Sequence, residues 1–177
     1  MDMVKARTVG EMNSLTGFLR VSTWMQVSRP TAQLPQNTTE MLFRVNGGRI
    51  ALFLILGECT TIFTSTDPAL SLNSSALDST PAVIGTTTVL ATTVSLASLE
   101  KGGFAMSQNA GTALVKANAG GYVNLGLNAS FAIVPAGEIY ATTTANQTTG
   151  RMKFDLWYQP LDNGAVVTAS PAGTAIV

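Results

Sequence analysis

The chain has 177 residues, enough for one domain with a substantial core. Hydrophobic residues make up 46% and charged residues 11%, against roughly 25% charged in an ordinary soluble domain, so Thr, Ser, Asn and Gly must supply much of the polar surface. Ten basic residues balance ten acidic ones and histidine is absent, which excludes Ser-His-Asp and Cys-His nucleophiles and most zinc sites, and leaves no net charge to hold copies apart.

Residues 1–36 differ in character from the rest of the chain. Met12, Leu15, Phe18 and Leu19 are spaced as on a short helix through Gly10–Leu19, although Gly17 weakens it. Pro30 and Pro35 then bracket an extended segment that cannot be helical throughout. The expected organisation is an N-terminal arm, residues 1–36, that packs on something other than the main core, followed by a β domain, residues 37–177. Phe18, Trp24 and Met25 are large apolar side chains of the kind that anchor contacts with a partner.

The most apolar stretch comes next. Gly47-Gly48 between Leu42–Asn46 and Ile50–Leu56 is a two-residue hairpin signal, because glycine reaches positive φ without steric cost. No polar residue interrupts Ile50–Leu56, so both faces of this strand are expected to be covered. Gly57 predicts a bulge or bend, since an unbroken run to Phe63 would span roughly 50 Å.

Beyond it, Asp67-Pro68 and Asn73-Ser74-Ser75 predict turns around a short apolar piece, Ala69–Leu72. Strands are expected at Ala82–Ile84 and, after a break at Gly85, at Val89–Leu96. Glu100–Gly103 predicts a turn, and short strands are expected at Thr112–Val115, Tyr122–Leu127, Ser130–Val134 and Glu138–Thr144. The clearest alternation is Arg151–Leu156, which puts Met152, Phe154 and Leu156 on one face and Arg151, Lys153 and Asp155 on the other. Trp157-Tyr158 continues it and Asn163-Gly164 turns the chain into Ala165–Ala169. About eight to ten short strands with turn signals at this spacing predict an all-β protein, an antiparallel β-sandwich of jelly-roll-like type with an extended N-terminal arm.

The chemistry of sites is sparse. The carboxylates are scattered singly, with no pair spaced for acid–base work on one strand face, and the phosphate-loop pattern GxxxxGK[ST] is absent. No cofactor, metal ligand set or catalytic residue is predicted, and the chain reads as a non-enzyme. The lone Cys59 cannot form an intrachain disulfide. Six basic residues stand against three acidic ones up to Arg49, and four against seven beyond it, so a mildly basic front could meet a mildly acidic body between neighbours. The acidic body argues against nucleic acid as a partner. Lys5, Arg7 and Glu11 break any secretory leader, and Ile50–Leu56 is too short to span a bilayer, so neither export nor a membrane is expected.

Three stretches taken in order carry a resemblance. The first is Leu34-Pro35-Gln36-Asn37-Thr38-Thr39, leading into Leu42-Phe43-Arg44-Val45-Asn46-Gly47-Gly48-Arg49-Ile50 and Leu56-Gly57-Glu58-Cys59-Thr60-Thr61. The second is Pro135-Ala136-Gly137-Glu138-Ile139, and the third runs from Thr149-Gly150-Arg151 through Trp157-Tyr158-Gln159-Pro160-Leu161-Asp162 to Ala165. Together they resemble small virion-associated structural proteins of tailed bacteriophages, over roughly Leu34 to Ala169. The resemblance implies a capsid decoration, or cement, protein: a β-rich domain, commonly a homotrimer, bound to the major capsid protein on the outer surface of a virion assembled in the host cytoplasm. It carries no catalytic residues. The arm lies outside it, so the contact residues Phe18, Arg20, Trp24, Met25 and Arg29 are expected from their chemistry alone. The alternative is a head-fibre or tail-tip module that binds host cell-surface glycans. Most aromatics here fall in strands and not in loops, which ranks it second.

Overall fold

A computed structural model describes residues 24–35, 37–63, 68–77, 83–107, 112–121, 131–144 and 149–174. They form twelve strands: β1 (Met25–Gln33), β2 (Thr39–Asn46), β3 (Ile50–Thr61), β4 (Ala69–Leu77), β5 (Val83–Ser95), β6 (Phe104–Met106), β7 (Thr112–Ala113), β8 (Val115–Ala117), β9 (Ala132–Val134), β10 (Gly137–Thr143), β11 (Arg151–Pro160) and β12 (Val166–Ala169). The front sheet runs β1-β11-β3-β6-β8, with β9 beside β6 along the same edge of β3. The back sheet runs β12-β2-β10-β4-β5-β7. Every pairing is antiparallel except the two-residue β5–β7 contact. The protein is an all-β antiparallel sandwich.

The core lies between the sheets and follows the period-two rule. From the front sheet come Ile50, Leu52 and Ile55 of β3 and Met152, Phe154, Leu156 and Tyr158 of β11. Phe43 and Val45 of β2, Leu70 and Leu72 of β4, and Ile139 and Ala141 of β10 face them from the back sheet. Tyr158 crosses the interior, its hydroxyl accepting a hydrogen bond from the Val167 N–H at 3.2 Å. Cys59 lies in the same core, where burial pushes its thiol pKa up.

Several expectations need correction. Gly47-Gly48 does not close a hairpin ladder, because β2 belongs to the back sheet and β3 to the front one. The glycines (φ 73° and 147°) instead carry the chain across the sandwich. Asn163-Gly164 does the same between β11 and β12, and the two crossings pack together: a Cβ on Gly47 would lie 2.3 Å from the Gly164 carbonyl oxygen. Arg49 clamps them, its Nε and Nη2 on the two Asp162 oxygens at 2.9 and 2.8 Å and its backbone N–H on Oδ2 at 2.7 Å. These bonds, the side-chain ones foremost, pull the Asp162 pKa down to about 2.

Gly57 is no bulge. The β3 register against β11 shifts near Cys59–Thr61 and at Leu52–Leu54, and passes through Gly57 unbroken. Glycine is required there for space, since a Cβ would come within 2.7 Å of Met152 Cε and 2.8 Å of Phe154 Cε1. Asn73-Ser74-Ser75 lies inside β4 and not in a turn, because its backbone pairs with both β10 and β5. Gly85 does not break a strand; it sits where β5 shifts register against β4, between Val83 and Thr87.

The boundary at residue 36 also moves. Met25–Gln33 is an edge strand of the front sheet paired with β11, and Leu34 is in the core. The expected helix through Gly10–Leu19 and the expected strand Tyr122–Leu127 lie outside the described residues.

Candidate interaction surface

Register on β3 decides which of its side chains face away from the back sheet. Opposite Lys153, Asp155, Trp157 and Gln159 on β11 lie Glu58, Leu56, Leu54 and Ala51 on β3. Since Met152, Phe154, Leu156 and Tyr158 point inward, these rows point outward. The shift between Leu54 and Leu52 leaves Phe53 as an extra residue in the strand. On the far side of β3 the same rows continue to Phe104 and Met106 of β6 and Ile133 of β9. On the near side they continue to Ser28 and Gln26 of β1.

The outer face of the front sheet is therefore divided. Its β1–β11 half is polar apart from Trp157, and its β3–β6–β9 half is almost wholly apolar. Phe53, Leu54, Leu56, Phe104 and Trp157 are each half-buried, and Ile133 is 62% exposed. The unbroken apolar run Ile50–Leu56 does put apolar side chains on both faces; the inner one is sealed, while on the outer rows Ala51 and Met106 are buried and Phe53, Leu54 and Leu56 half-buried. A partly covered apolar face with an exposed end at Ile133 is the candidate interaction surface of the described residues.

The polar half is organised around Asp155. Ser28 Oγ donates to Oδ1 from the neighbouring strand, and Lys153 Nζ sits 3.0 Å from Oδ2. Burial works to raise the Asp155 pKa, but the bonds from Ser28 and Lys153 outweigh it and the carboxyl is held below its ordinary range. Asp155 is thus a satisfied structural carboxylate and not a spare acid. Among the described residues no group of three His, Cys, Asp or Glu side chains could hold a metal ion.

The five contact residues expected from the sequence separate. Trp24 joins the surface, its ring stacked on Phe53 with centroids 5.0 Å apart and planes tilted by 41°. Met25 is 47% exposed, at the sheet's edge opposite Tyr158. Arg29 is not a surface group: it is 1% exposed and points into the sandwich, where Nη2 donates to Glu40 of β2 and Nε to the Ser170 carbonyl at 3.1 Å. Burial lowers its pKa against the pull of Glu40. Phe18 and Arg20 lie outside the described residues. Phe53, Leu54, Leu56 and Trp157 were not expected at the surface. Two signals marked them: the missing alternation in Ile50–Leu56, and Trp157 standing in phase with Arg151, Lys153 and Asp155.

The fold and this face define a class, an antiparallel β-sandwich with an apolar outer face on one sheet. Scans of protein-family models, of curated proteins and of solved structures each found no match.

Proposed function

We propose that the protein is a structural component of a tailed-bacteriophage virion, a capsid decoration protein. It binds the major capsid protein on the outer shell as a homotrimer, ties neighbouring subunits together and catalyses no reaction. The observation that carries the reading is the apolar outer face of the front sheet, extended by Trp24 against Phe53. A cement protein needs such a face, because many modest contacts repeated over a lattice hold by multivalency. The order of the three phage-like stretches supports the same class. Charge is scarce and balanced, so packing and not electrostatic steering would drive the association.

The alternative, glycan binding by a head-fibre or tail-tip module, gains one observation. Trp157 lies in a strand yet faces outward, with Gln26 across the ladder, and a half-buried ring beside an exposed amide is a sugar-stacking arrangement. Co-sedimentation separates the two readings. Intact protein and the Leu56→Asp variant are spun with undecorated capsids, and separately with host cells. Capsid binding by the intact protein, lost in a variant with unchanged circular dichroism, is the expected result. Binding to cells and not to capsids would replace the decoration reading with the alternative.

A further inference from the structure

The chain holds two Asn-Gly dipeptides, Asn46-Gly47 and Asn163-Gly164, one in each crossing between the sheets. An asparagine followed by glycine can lose its side-chain amide without a catalyst, because no Cβ on the glycine hinders the approach of its nitrogen to the asparagine Cγ. That approach requires the peptide plane between them to turn about the asparagine Cα–C bond. The two planes are held differently. The Ser170 N–H donates to the Leu42 carbonyl at 2.9 Å, and hydrogen-bonded pairs alternate along an antiparallel ladder, so Arg44–Thr168 and Asn46–Val166 are the next such pairs between β2 and β12. The Asn46 carbonyl thus accepts from the Val166 N–H, and the Asn46–Gly47 plane cannot turn without breaking the ladder. Asn163 and Gly164 are instead the two central residues of a turn closed by the Ala165 N–H on the Asp162 carbonyl at 3.1 Å. Gly164 has φ 85° and Asn163 is not left-handed, which is the type II pattern. Type I and type II turns differ mainly by rotation of their central peptide, so this plane turns while Asp162 and Ala165 stay bonded. Both residues are exposed, and even a Cβ on Gly164 would meet nothing within 4 Å.

We propose that Asn163 is a site of spontaneous deamidation in the folded protein and that Asn46 is not. The Gly164 nitrogen bonds to Asn163 Cγ, and the Gly164 amide proton leaves with the side-chain –NH2 as ammonia, closing a succinimide ring. Water then opens the ring. Attack at Cγ gives aspartate, and attack at the main-chain carbonyl gives isoaspartate, whose backbone runs through Cβ and Cγ. Either product places a new carboxylate directly after Asp162, the acid that Arg49 holds. The change therefore falls on the clamp between the two crossings, and a chain with ten acidic residues balanced by ten basic ones acquires an extra negative charge. The reaction concerns the protein alone and stands whether or not a capsid is the partner.

The full chain is kept folded at mildly alkaline pH, where loss of the glycine amide proton is favoured, and sampled over time. Isoelectric focusing follows the acidic form, peptide mass mapping locates it, and enzymatic methylation reports isoaspartate. Conversion at Asn163 should exceed that at Asn46 about tenfold, the factor that about 1.4 kcal/mol of ladder bonding imposes. Asn163→Gln should remove nearly all of the acidic form, and Asn46→Gln should leave it as in the parent. In urea, where neither turn nor ladder survives, the two rates should converge. Equal or faster conversion at Asn46 in the folded chain would overturn the proposal. So would a folded chain that stays unmodified while the unfolded one converts. A gap that persists in urea would refute it too, because the fold would then not be its source.

Discussion

Replacing Glu40 by alanine tests how the sandwich is bolted together. Arg29 sits on β1 of the front sheet and Glu40 on β2 of the back sheet, so their ion pair bridges the two layers at the edge where β1 and β12 approach. The side chains are 1% and 5% exposed. Glu40 Oε1 also accepts the Gly173 N–H at 2.5 Å, and Arg29 holds the Ser170 carbonyl, which ties the segment after β12 to the same node. In the alanine variant the guanidinium stays buried with one carbonyl as its anchor, and its Nη1 already lacks a protein partner. Stranding one member of a buried pair costs about 3–5 kcal/mol. For a chain of this size that lowers the melting temperature by about 6–20 °C. Removing both charges is different, because the pair's desolvation cost disappears with it: Arg29→Met/Glu40→Leu should return to within about 1 kcal/mol of the parent. Urea titrations of the parent, Arg29→Met, Glu40→Leu and the double variant give the cycle, with Glu40→Ala measured beside them. A single-variant loss below about 1 kcal/mol, the scale of an exposed pair, would refute the burial assigned here.

Two further outcomes rest on positions at either side of the fold. Leu54→Asp places a carboxylate on the half-open outer face, where water still reaches it, and should cost about 1–2 kcal/mol without unfolding the protein; Ile55→Asp, on the sealed inner face, should leave no folded protein, and similar melting temperatures for the two would contradict the facing of β3. Asp162, depressed from 3.8 to about 2 by Arg49, contributes stability that is fully present above pH 3.8 and lost as pH falls towards 2. The melting-temperature gap between the parent and Asp162→Asn should accordingly narrow over that window, and a gap that stays constant would show the clamp between the two crossings to be idle.

What could be read from the sequence was the local period and little of the pairing. Arg151–Leu156 alternates, and the structure buries Met152, Phe154 and Leu156 as the pattern requires. The two-sheet architecture followed from strand number and turn spacing. Partner choice did not. Gly47-Gly48 and Asn163-Gly164 carry the composition of hairpin turns, yet both link strands in different sheets, since a turn residue specifies local φ and not which ladder the next strand joins. Arg29 was misplaced for a related reason. A basic residue beside a proline in an arm-like segment has the composition of an exposed tether, and only the long-range partner Glu40, eleven residues on and in the other sheet, makes its burial tolerable.

The central strand shows where such a limit becomes informative. An apolar run without alternation specifies that both faces of a strand avoid water, and leaves open what covers each. For Ile50, Leu52 and Ile55 the cover is the back sheet, supplied by the same fold. For Phe53, Leu54 and Leu56 the described sandwich supplies only part of it. Had this outer face been meant for solvent, period two would have cost nothing to encode, as Lys153 and Asp155 on the adjacent strand show. Its absence on β3 is therefore a statement about contact: the outer side of this strand is built for packing and not for solvent.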